Sequence, residues 1–240
     1  MTQDVLTNNI SEFSNRDFLS GEVILVDKPA GKSSFHVVYK IRKFAHVKKA
    51  GHAGTLDPAA TGLMIICTGR KTKEIEKFQG LPKTYTGIIT LGKVTPSMDA
   101  ETPFSEENSI EGITEERILE ARDSFLGDSF QIPPMYSALK VNGKRLYKYA
   151  RKGKEVVRAP RHIHISSFEI TRIDLPDISF SITCSKGTYI RVIADDLGKK
   201  LGCGAYLKQL RRTVIGDFRV SDAFTLEQFE TAASSAGGMP

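Results

Sequence analysis

The sequence predicts an α+β fold, because two kinds of side-chain pattern are interspersed along it. Residues Lys83–Leu91 and Ile178–Ser185 alternate in the way that strands with one buried face do. Residues Leu63–Cys67 form a short apolar run between turn residues, which is typical of a strand buried on both faces. In the segments that follow Ser34 and Tyr189, apolar residues recur at the three- and four-residue spacing of amphipathic helices.

The composition is that of a globular protein, and the length fits one large domain or one domain with an appendage. The 240 residues are 40% hydrophobic and 26% charged, and the formal net charge of +6 favours a polyanionic partner without proving one. The three cysteines lie far apart, without metal-ligand spacing, which fits a reducing compartment. No signal peptide and no run of about 20 apolar residues is visible. We therefore expect a cytoplasmic protein with neither a membrane span nor a metal.

The first third of the chain predicts an extension, a strand and two helices. Residues 1–20 are polar and predict a flexible N-terminal extension. Gly21–Val26 predicts a strand, and Ser33 or Ser34 can cap the helix that follows by accepting hydrogen bonds from its free N–H groups. Arg70–Gln79 predicts a short charged helix.

The second half predicts two helices among strands. The first helix opens at Thr114 and ends with Gly127 at its C-cap. Ile163–Ile170 predicts a strand, and Ile190–Leu201 predicts a helix with Gly202 past its end. The pattern of Leu207–Val214 is compatible with either a strand or a helix.

Basic side chains concentrate in two segments. Residues 40–49 are basic on one face of the first helix, and Lys140–Arg161 combines many basic residues with Tyr147 and Tyr149. A basic segment with aromatic residues suits phosphate neutralisation and base stacking in a nucleic acid. The alternative for both segments is a charged, solvated surface.

The Gly51–Gly62 segment is rich in small residues and carries a single acid, Asp57. As a lone Asp before a proline, Asp57 is most simply the start of a turn. Its neighbours His52 and Thr55, on a loop that leads into the buried Leu63–Cys67 strand, favour a functional carboxylate instead. The small residues around it leave room for a large ligand.

Several motifs resemble those of the bacterial tRNA pseudouridine-55 synthases, and they occur in that family's order. They cover roughly residues 21–218 and read DKPAGKSS, GHAGTLDPAATGLM, KTY, QIPPMYSALK and SKGTYIR…LRRT. The resemblance implies a pseudouridine synthase fold, with a mixed, largely antiparallel central sheet flanked by helices. It also implies a redox-neutral isomerisation of uridine to pseudouridine at position 55 of tRNA, which requires no metal or organic cofactor.

The resemblance also implies roles for individual residues. Asp57 would be the essential carboxylate, acting either as a nucleophile or by deprotonating the sugar, and Arg191 would pair with it and keep it ionised. His52 would fill the space left by the flipped-out uridine, or simply bond within its own loop. The implied roles are catalysis for Asp57, Tyr85 and Arg191, and substrate binding for His52, Tyr85, Tyr189, Leu210 and Lys28.

The same resemblance sets the expected organisation. Residues 21–230 would form the catalytic domain with an RNA-gripping insertion at about 131–161, and 231–240 a disordered tail. The chain would be a short form without the further C-terminal RNA-binding domain of many relatives. It would act on the tRNA T stem-loop as a monomer, without an obligate protein partner. The Lys93–Asp99 segment fits the family pattern only partly and receives no role.

Two other classes of function compete with the enzyme. A non-catalytic RNA-binding or RNA-folding protein would keep the basic segments and His52, but it would not need Asp57, Tyr85 and Arg191 together. A metal-dependent nuclease or phosphoesterase would need clustered carboxylates to hold its metal, and Asp57 has no acidic neighbour in the sequence.

Overall fold

The computed structural model of the protein describes residues 5–141 and 143–236. The strands, in chain order, are β1 (Val23–Lys28), β2 (Ala50–His52), β3 (Thr61–Thr68), β4 (Lys83–Leu91), β5 (Lys93–Val94), β6 (Glu106–Glu107), β7 (Gly127–Gln131), β8 (Lys140–Val141), β9 (Lys144–Arg145), β10 (Arg161–Asp174), β11 (Asp177–Cys184), β12 (Ala205–Ile215), β13 (Phe218–Arg219) and β14 (Phe224–Thr225). The α-helices are α1 (Ser34–Phe44), α2 (Ile75–Gly80), α3 (Glu115–Asp123), α4 (Tyr147–Ala150), α5 (Ile190–Leu201) and α6 (Leu226–Ala236). Short 3₁₀ helices span Ile10–Asn15, Gly69–Glu74 and Val220–Asp222.

The chain divides into two compact units. The first contains residues up to Tyr85 together with those from Leu210 onward, and the second contains Thr86–Gln209. Strands β4 and β12 each contribute residues to both units.

The sheet of the first unit is built around β3. Strand β1 pairs antiparallel with β3 on one side, and Arg211 and Arg212 of β12 pair parallel with the start of β3 on the other. β14 adds to β1 in parallel, while β2 and β13 pair antiparallel with β3 and β12. Residues 62–68 of β3 are buried without alternation, as the continuous apolar run predicts.

Helix α1 covers part of this unit, and Ser33 is its N-cap. The Ser33 hydroxyl accepts a hydrogen bond from the His36 N–H, which selects Ser33 from the two predicted caps. Its buried face consists of Ser34, Val37, Val38 and Ile41, and it packs against α6.

The two ends of the chain that the sequence left unstructured are folded where they are described. Leu6 is buried and bridges to Ile24 beside β1, and Phe13 packs edge-on against Phe224 and Phe229. Residues 5–20 are therefore packed onto the first unit by apolar contacts, which their polar average conceals. Helix α6 continues the chain to Ala236, and residues 1–4 and 237–240 lie outside the described residues.

The second unit carries the order β4–β11–β10–β7, with β10 antiparallel to both neighbours. Alternate residues of β11 are buried as predicted: Ile178, Phe180, Ile182 and Cys184. Helix α5 ends at Gly202 in the left-handed conformation, also as predicted.

The predicted end of the preceding helix is wrong. Helix α3 begins after its Thr114 cap but stops at Asp123, because two tight turns at Phe125 and Leu126 close the chain after it. Gly127, with a φ of 88°, instead opens strand β7. The ambiguous segment 207–214 belongs to a strand, β12.

The predicted α+β architecture is confirmed, with a mixed, largely antiparallel sheet flanked by helices. Between β7 and β10 the chain forms an excursion that contains β8, β9 and α4. Within the described ranges, no helix has the length and apolar character that spanning a membrane would require.

Candidate active site

The loop that carries Asp57 connects β2 to β3, and hydrogen bonds hold the residues before and after Asp57. The Ser34 hydroxyl accepts a hydrogen bond from the Leu56 N–H at 2.8 Å and donates one to the Leu56 carbonyl at 2.9 Å. On the other side of Asp57, the Pro58 carbonyl accepts a hydrogen bond from the Gly31 N–H at 2.8 Å. The half-buried Asp57 thus sits between two backbone positions that the start of α1 and the turn before it hold in place.

Arg212 of β12 supports the same loop through a hydrogen bond to its backbone. Its side chain is only 1% exposed, and it donates to the Leu63 carbonyl at 2.7 Å and to the Gly54 carbonyl at 3.2 Å. At Gly62, with a φ of 107°, an added Cβ would lie 2.2 Å from the Arg212 carbonyl oxygen, so β3 and β12 approach closely only because this residue is glycine. No role was predicted for Arg212 from the sequence.

Lys28 is also a buried cation of this unit, at 0% exposure. Its ammonium donates to the carbonyls of Pro29, Lys32 and Pro58 at 2.9, 2.7 and 3.1 Å. Burial lowers the pKa of Lys28 to about 8, since the charged form loses hydration, although the carboxylate of Asp57 acts in the opposite direction. Lys28 therefore braces the backbone that follows Asp57 and lies within its electrostatic reach.

His52 makes the local hydrogen bond that was one of its two predicted roles. Its Nδ1 accepts from the Gly54 N–H at 3.3 Å, so this ring nitrogen is unprotonated. Burial, with a further contribution from the charge of Arg212, lowers the pKa of His52 below its ordinary value of 6.5. The imidazole is therefore neutral at pH 7.

Tyr85 and Leu210 lie in the first unit as well. Tyr85 is a nearly buried residue of β4, and the half-buried Leu210 lies in β12, two residues before Arg212. Arg211, which lies between Leu210 and Arg212 in β12, forms a bidentate ion pair with Asp27. Its two Nη atoms lie 2.6 and 3.1 Å from the carboxylate oxygens.

Tyr189 and Arg191 belong to the second unit, where they flank the start of α5. Arg191 is 3% exposed, and its guanidinium donates to Asp99 Oδ2 at 2.8 Å and lies 5.8 Å from the centre of the Tyr189 ring. The carboxylate that pairs with Arg191 belongs to Asp99, in the Lys93–Asp99 segment, for which no role was predicted from the sequence. Asp99 therefore joins the candidate site as a residue that positions Arg191.

The backbone at Asp99 is itself held in place. Its carbonyl accepts hydrogen bonds from the Thr95 hydroxyl at 2.7 Å and the Ser97 hydroxyl at 3.2 Å, and both of these side chains are buried. Met98 takes the left-handed conformation with a φ of 63°, and its carbonyl accepts from the Leu207 N–H at 3.0 Å. These bonds tie the segment to β12 and fix where Asp99 meets Arg191.

The predicted site residues thus fall into two groups. The first unit gathers Lys28, His52 and Asp57 around one loop, and the second holds Tyr189 and Arg191 at one helix start. Among residues 5–141 and 143–236, no group of three or more His, Cys, Asp or Glu side chains is arranged to hold a metal ion.

Comparison with known families decides the kind of protein. Residues 42–190 match the TruB family pseudouridylate synthase N-terminal domain, and residues 191–237 match the tRNA pseudouridylate synthase B C-terminal domain. The first match alone covers more than half of the chain. The chain belongs to the TruB family of pseudouridylate synthases.

Individual relatives agree with this family. The tRNA pseudouridine synthase B of Opitutus terrae is 51% identical over 208 residues, 87% of this chain and 86% of the relative. That of Flavobacterium johnsoniae is 47% identical over 221 residues, 89% of this chain and 96% of the relative. The match thus extends over nearly the whole length of these TruB-family proteins.

Solved structures share the fold. A Cbf5–Nop10–Gar1 complex matches 98% of this chain and 67% of its own chain with a TM-score of 0.69 at 25% identity. The archaeal box H/ACA sRNP Nop10–Cbf5 complex matches 92% of this chain but only 58% of its own, with a TM-score of 0.67. The predicted pseudouridine synthase fold is confirmed, and the TruB-family chain is an isomerase that converts uridine to pseudouridine.

Proposed function

We propose that the protein converts the uridine at position 55, in the T loop of tRNA, to pseudouridine and that Asp57 is the essential carboxylate. Relatives that match over most of their length are named tRNA pseudouridine synthase B, which supports this substrate. The observation that carries the role of Asp57 is its loop, which Ser34, Lys28 and Arg212 hold from three directions.

The reaction is an isomerisation without redox change. The bond between N1 of the uracil and C1′ of the ribose breaks, the uracil turns while it stays bound, and C5 forms the new bond to C1′. C5 then loses its proton and N1 gains one, so no atom is added to the substrate or lost from it. The protein must supply a carboxylate, a surface that holds the detached uracil, and protection from water.

A carboxylate serves this reaction only if it stays in place while the base turns. Asp57 acts as a nucleophile or by deprotonating the sugar, and both routes need a fixed carboxylate position. The Asp57 carbonyl accepts from the Ala60 N–H at 3.1 Å, and the residues on either side are bonded to α1 and to the turn before it. The loop therefore fixes the backbone from which the Asp57 carboxylate extends.

The other site residues keep the roles that the family resemblance implies. Tyr85 stacks on the uracil and assists loss of the C5 proton, and Tyr189 and Leu210 give the base apolar contacts. For Arg191 the resemblance implies that its positive charge keeps the essential carboxylate ionised. His52, which is neutral, occupies the space that the flipped-out uridine leaves in the T loop, since extruding a base costs about a few kcal/mol that a stacked ring offsets.

Helix α1 and the residues after it provide an RNA-binding surface. Residues 28–56 contain no Asp or Glu and seven lysines and arginines. Phe35 and Tyr39, four residues apart on this helix, are 71% and 52% exposed. Exposed aromatic rings beside uncompensated positive charge suit the bases and phosphates of an RNA loop.

Mapping pseudouridine along a full, unmodified tRNA tests the proposed substrate. The protein is incubated with the transcript in excess chelator, and the pseudouridine positions are read by chemical labelling and primer extension. We expect one new pseudouridine, at position 55. Modification of another position, or of an unrelated RNA in preference, would overturn the substrate, and binding without conversion would favour a non-catalytic RNA-binding protein.

A further inference from the structure

Gln131 makes two hydrogen bonds to one backbone residue at the start of helix α5. Its Oε1 accepts from the Tyr189 N–H at 2.8 Å, and its Nε2 donates to the Tyr189 carbonyl at 3.2 Å. The side chain is 5% exposed, so water does not compete for these bonds. The two bonds resemble those between neighbouring strands, but here a side chain takes the place of one backbone. Gln131 and Tyr189 are 58 residues apart in the chain.

Tyr189 needs this support, because it is the N-cap of α5 and makes no side-chain capping bond. Its carbonyl already accepts from the Val192 and Ile193 N–H groups of the first turn. The amide of Gln131 fixes the peptide planes on both sides of Tyr189, and hence the direction in which the Tyr189 ring and the first helical turn leave the sheet.

Gln131 also stands where the excursion between β7 and β10 begins. It is the last residue of β7, and its register partner Arg161 is the first residue of β10. The chain between these two residues is the predicted RNA-gripping insertion. One side chain therefore bonds the base of that insertion to the helix start that carries Tyr189 and Arg191.

We propose that Gln131 is a positioning residue of the isomerisation: it holds Tyr189 and the first turn of α5, and with them Arg191, in the reactive geometry. This inference rests on the proposed function. A displacement of a reacting group by about 1 Å costs on the order of 100-fold in rate, so loss of the two bonds reduces the rate of the chemical step. RNA affinity comes from basic side chains, and neither of these two bonds involves one, so we expect the affinity to be unchanged when they are lost.

The test compares three glutamine variants in single-turnover conversion of a T-arm stem-loop, alongside direct measurement of RNA affinity. Gln131→Met keeps the size and removes both bonds. Gln131→Glu keeps the acceptor for the Tyr189 N–H and removes the donor. Gln228→Met is the control, because Gln228 also bonds a backbone group, the Thr225 N–H at 2.8 Å, at the start of α6.

We expect Gln131→Met to lower the single-turnover rate about 10- to 100-fold with an unchanged Kd for RNA. Gln131→Glu should recover activity as the pH is lowered, because a protonated carboxyl group restores both the donor and the acceptor. Gln228→Met should react at the wild-type rate. All variants are assayed well below their unfolding temperatures.

Two results would overturn the inference. One is a Gln131→Met rate equal to that of wild type and Gln228→Met, and the other is a loss of RNA affinity that accounts for the whole decrease in rate. A wild-type protein that converts no uridine in the stem-loop would instead overturn the proposed function, and this inference with it.

Discussion

Arg191 and Asp99 form a buried ion pair, with 2.8 Å between the guanidinium Nη1 and the carboxylate Oδ2, although 92 residues separate them in the chain. A charge-assisted hydrogen bond of this kind fixes both the position and the direction of the guanidinium. Arg191 is therefore oriented by its own unit of the fold, through a segment that fits the family's sequence pattern only partly.

Asp99→Asn should slow the reaction without weakening RNA binding. The amide keeps the size of the side chain but loses the negative charge. A hydrogen bond to a charged group contributes about 1.5–3 kcal/mol, which corresponds to roughly 10- to 100-fold in rate. Single-turnover kinetics at saturating RNA check this. Asp177→Asn is the matched control, because Asp177 also accepts from a cation, Lys208, at 2.7 Å. Equal rates for the two variants would show that the Asp99 charge has no part in the reaction.

Ser34→Ala and Ser33→Ala should separate loop geometry from helix stability. Each substitution should lower the unfolding free energy by about 1–2 kcal/mol. Ser33→Ala removes the hydroxyl that caps α1. Ser34→Ala removes the hydroxyl that bonds both the N–H and the carbonyl of Leu56. Only Ser34→Ala frees the Asp57 loop. We predict that it alone lowers the single-turnover rate, and equal activity of the two variants would contradict the proposed clamp.

Arg212→Met should destabilise the protein far more than Arg211→Met. The buried Arg212 donates to two carbonyls, and leaving them without donors costs about 2 kcal/mol or more. The Arg211–Asp27 pair is partly exposed and should contribute about 1 kcal/mol or less. Urea denaturation of both variants measures the two values. Similar midpoints would show that Arg212 does not support the loop.

Lys28 should produce a pH dependence of stability in the alkaline range. Its pKa is about 8 in the folded protein against an ordinary 10.5, so between these values the unfolded chain binds a proton that the folded chain does not. Unfolding free energy then rises with pH through this lysine. We predict that the stability of wild type relative to Lys28→Met increases from pH 8 to pH 10.5. A flat difference would place the pKa of Lys28 at its ordinary value, and a falling difference would place it above that value.

The sequence is most informative where a single pattern determines an element. Strand β4 has the predicted bounds, Lys83–Leu91, and the buried residues of β11 are the predicted alternate positions, because side-chain direction in a strand repeats every two residues. Helix α5 and its terminating Gly202 follow in the same way from a 3.6-residue period and a left-handed C-cap.

Contacts between distant residues could not be predicted in this way. Nothing local shows that Asp99 meets Arg191, that Gln131 meets Tyr189, or that Arg212 points inward from a strand with two adjacent arginines. The N-terminal segment was predicted to be flexible for a related reason. Its average composition is polar, but the buried apolar residues Leu6 and Phe13 pack it onto the first unit. These features depend on tertiary structure, which only the folded chain supplies.

The role of Asp57 is tested most directly by single-turnover conversion of an unmodified tRNA T-arm stem-loop, with wild type beside Asp57→Asn and chelator present. RNA affinity of both proteins is measured in parallel. We predict that wild type forms pseudouridine and that Asp57→Asn binds the RNA with similar affinity and forms none. Conversion by Asp57→Asn at a rate near that of wild type would contradict the account, because the reaction would then depend on another group.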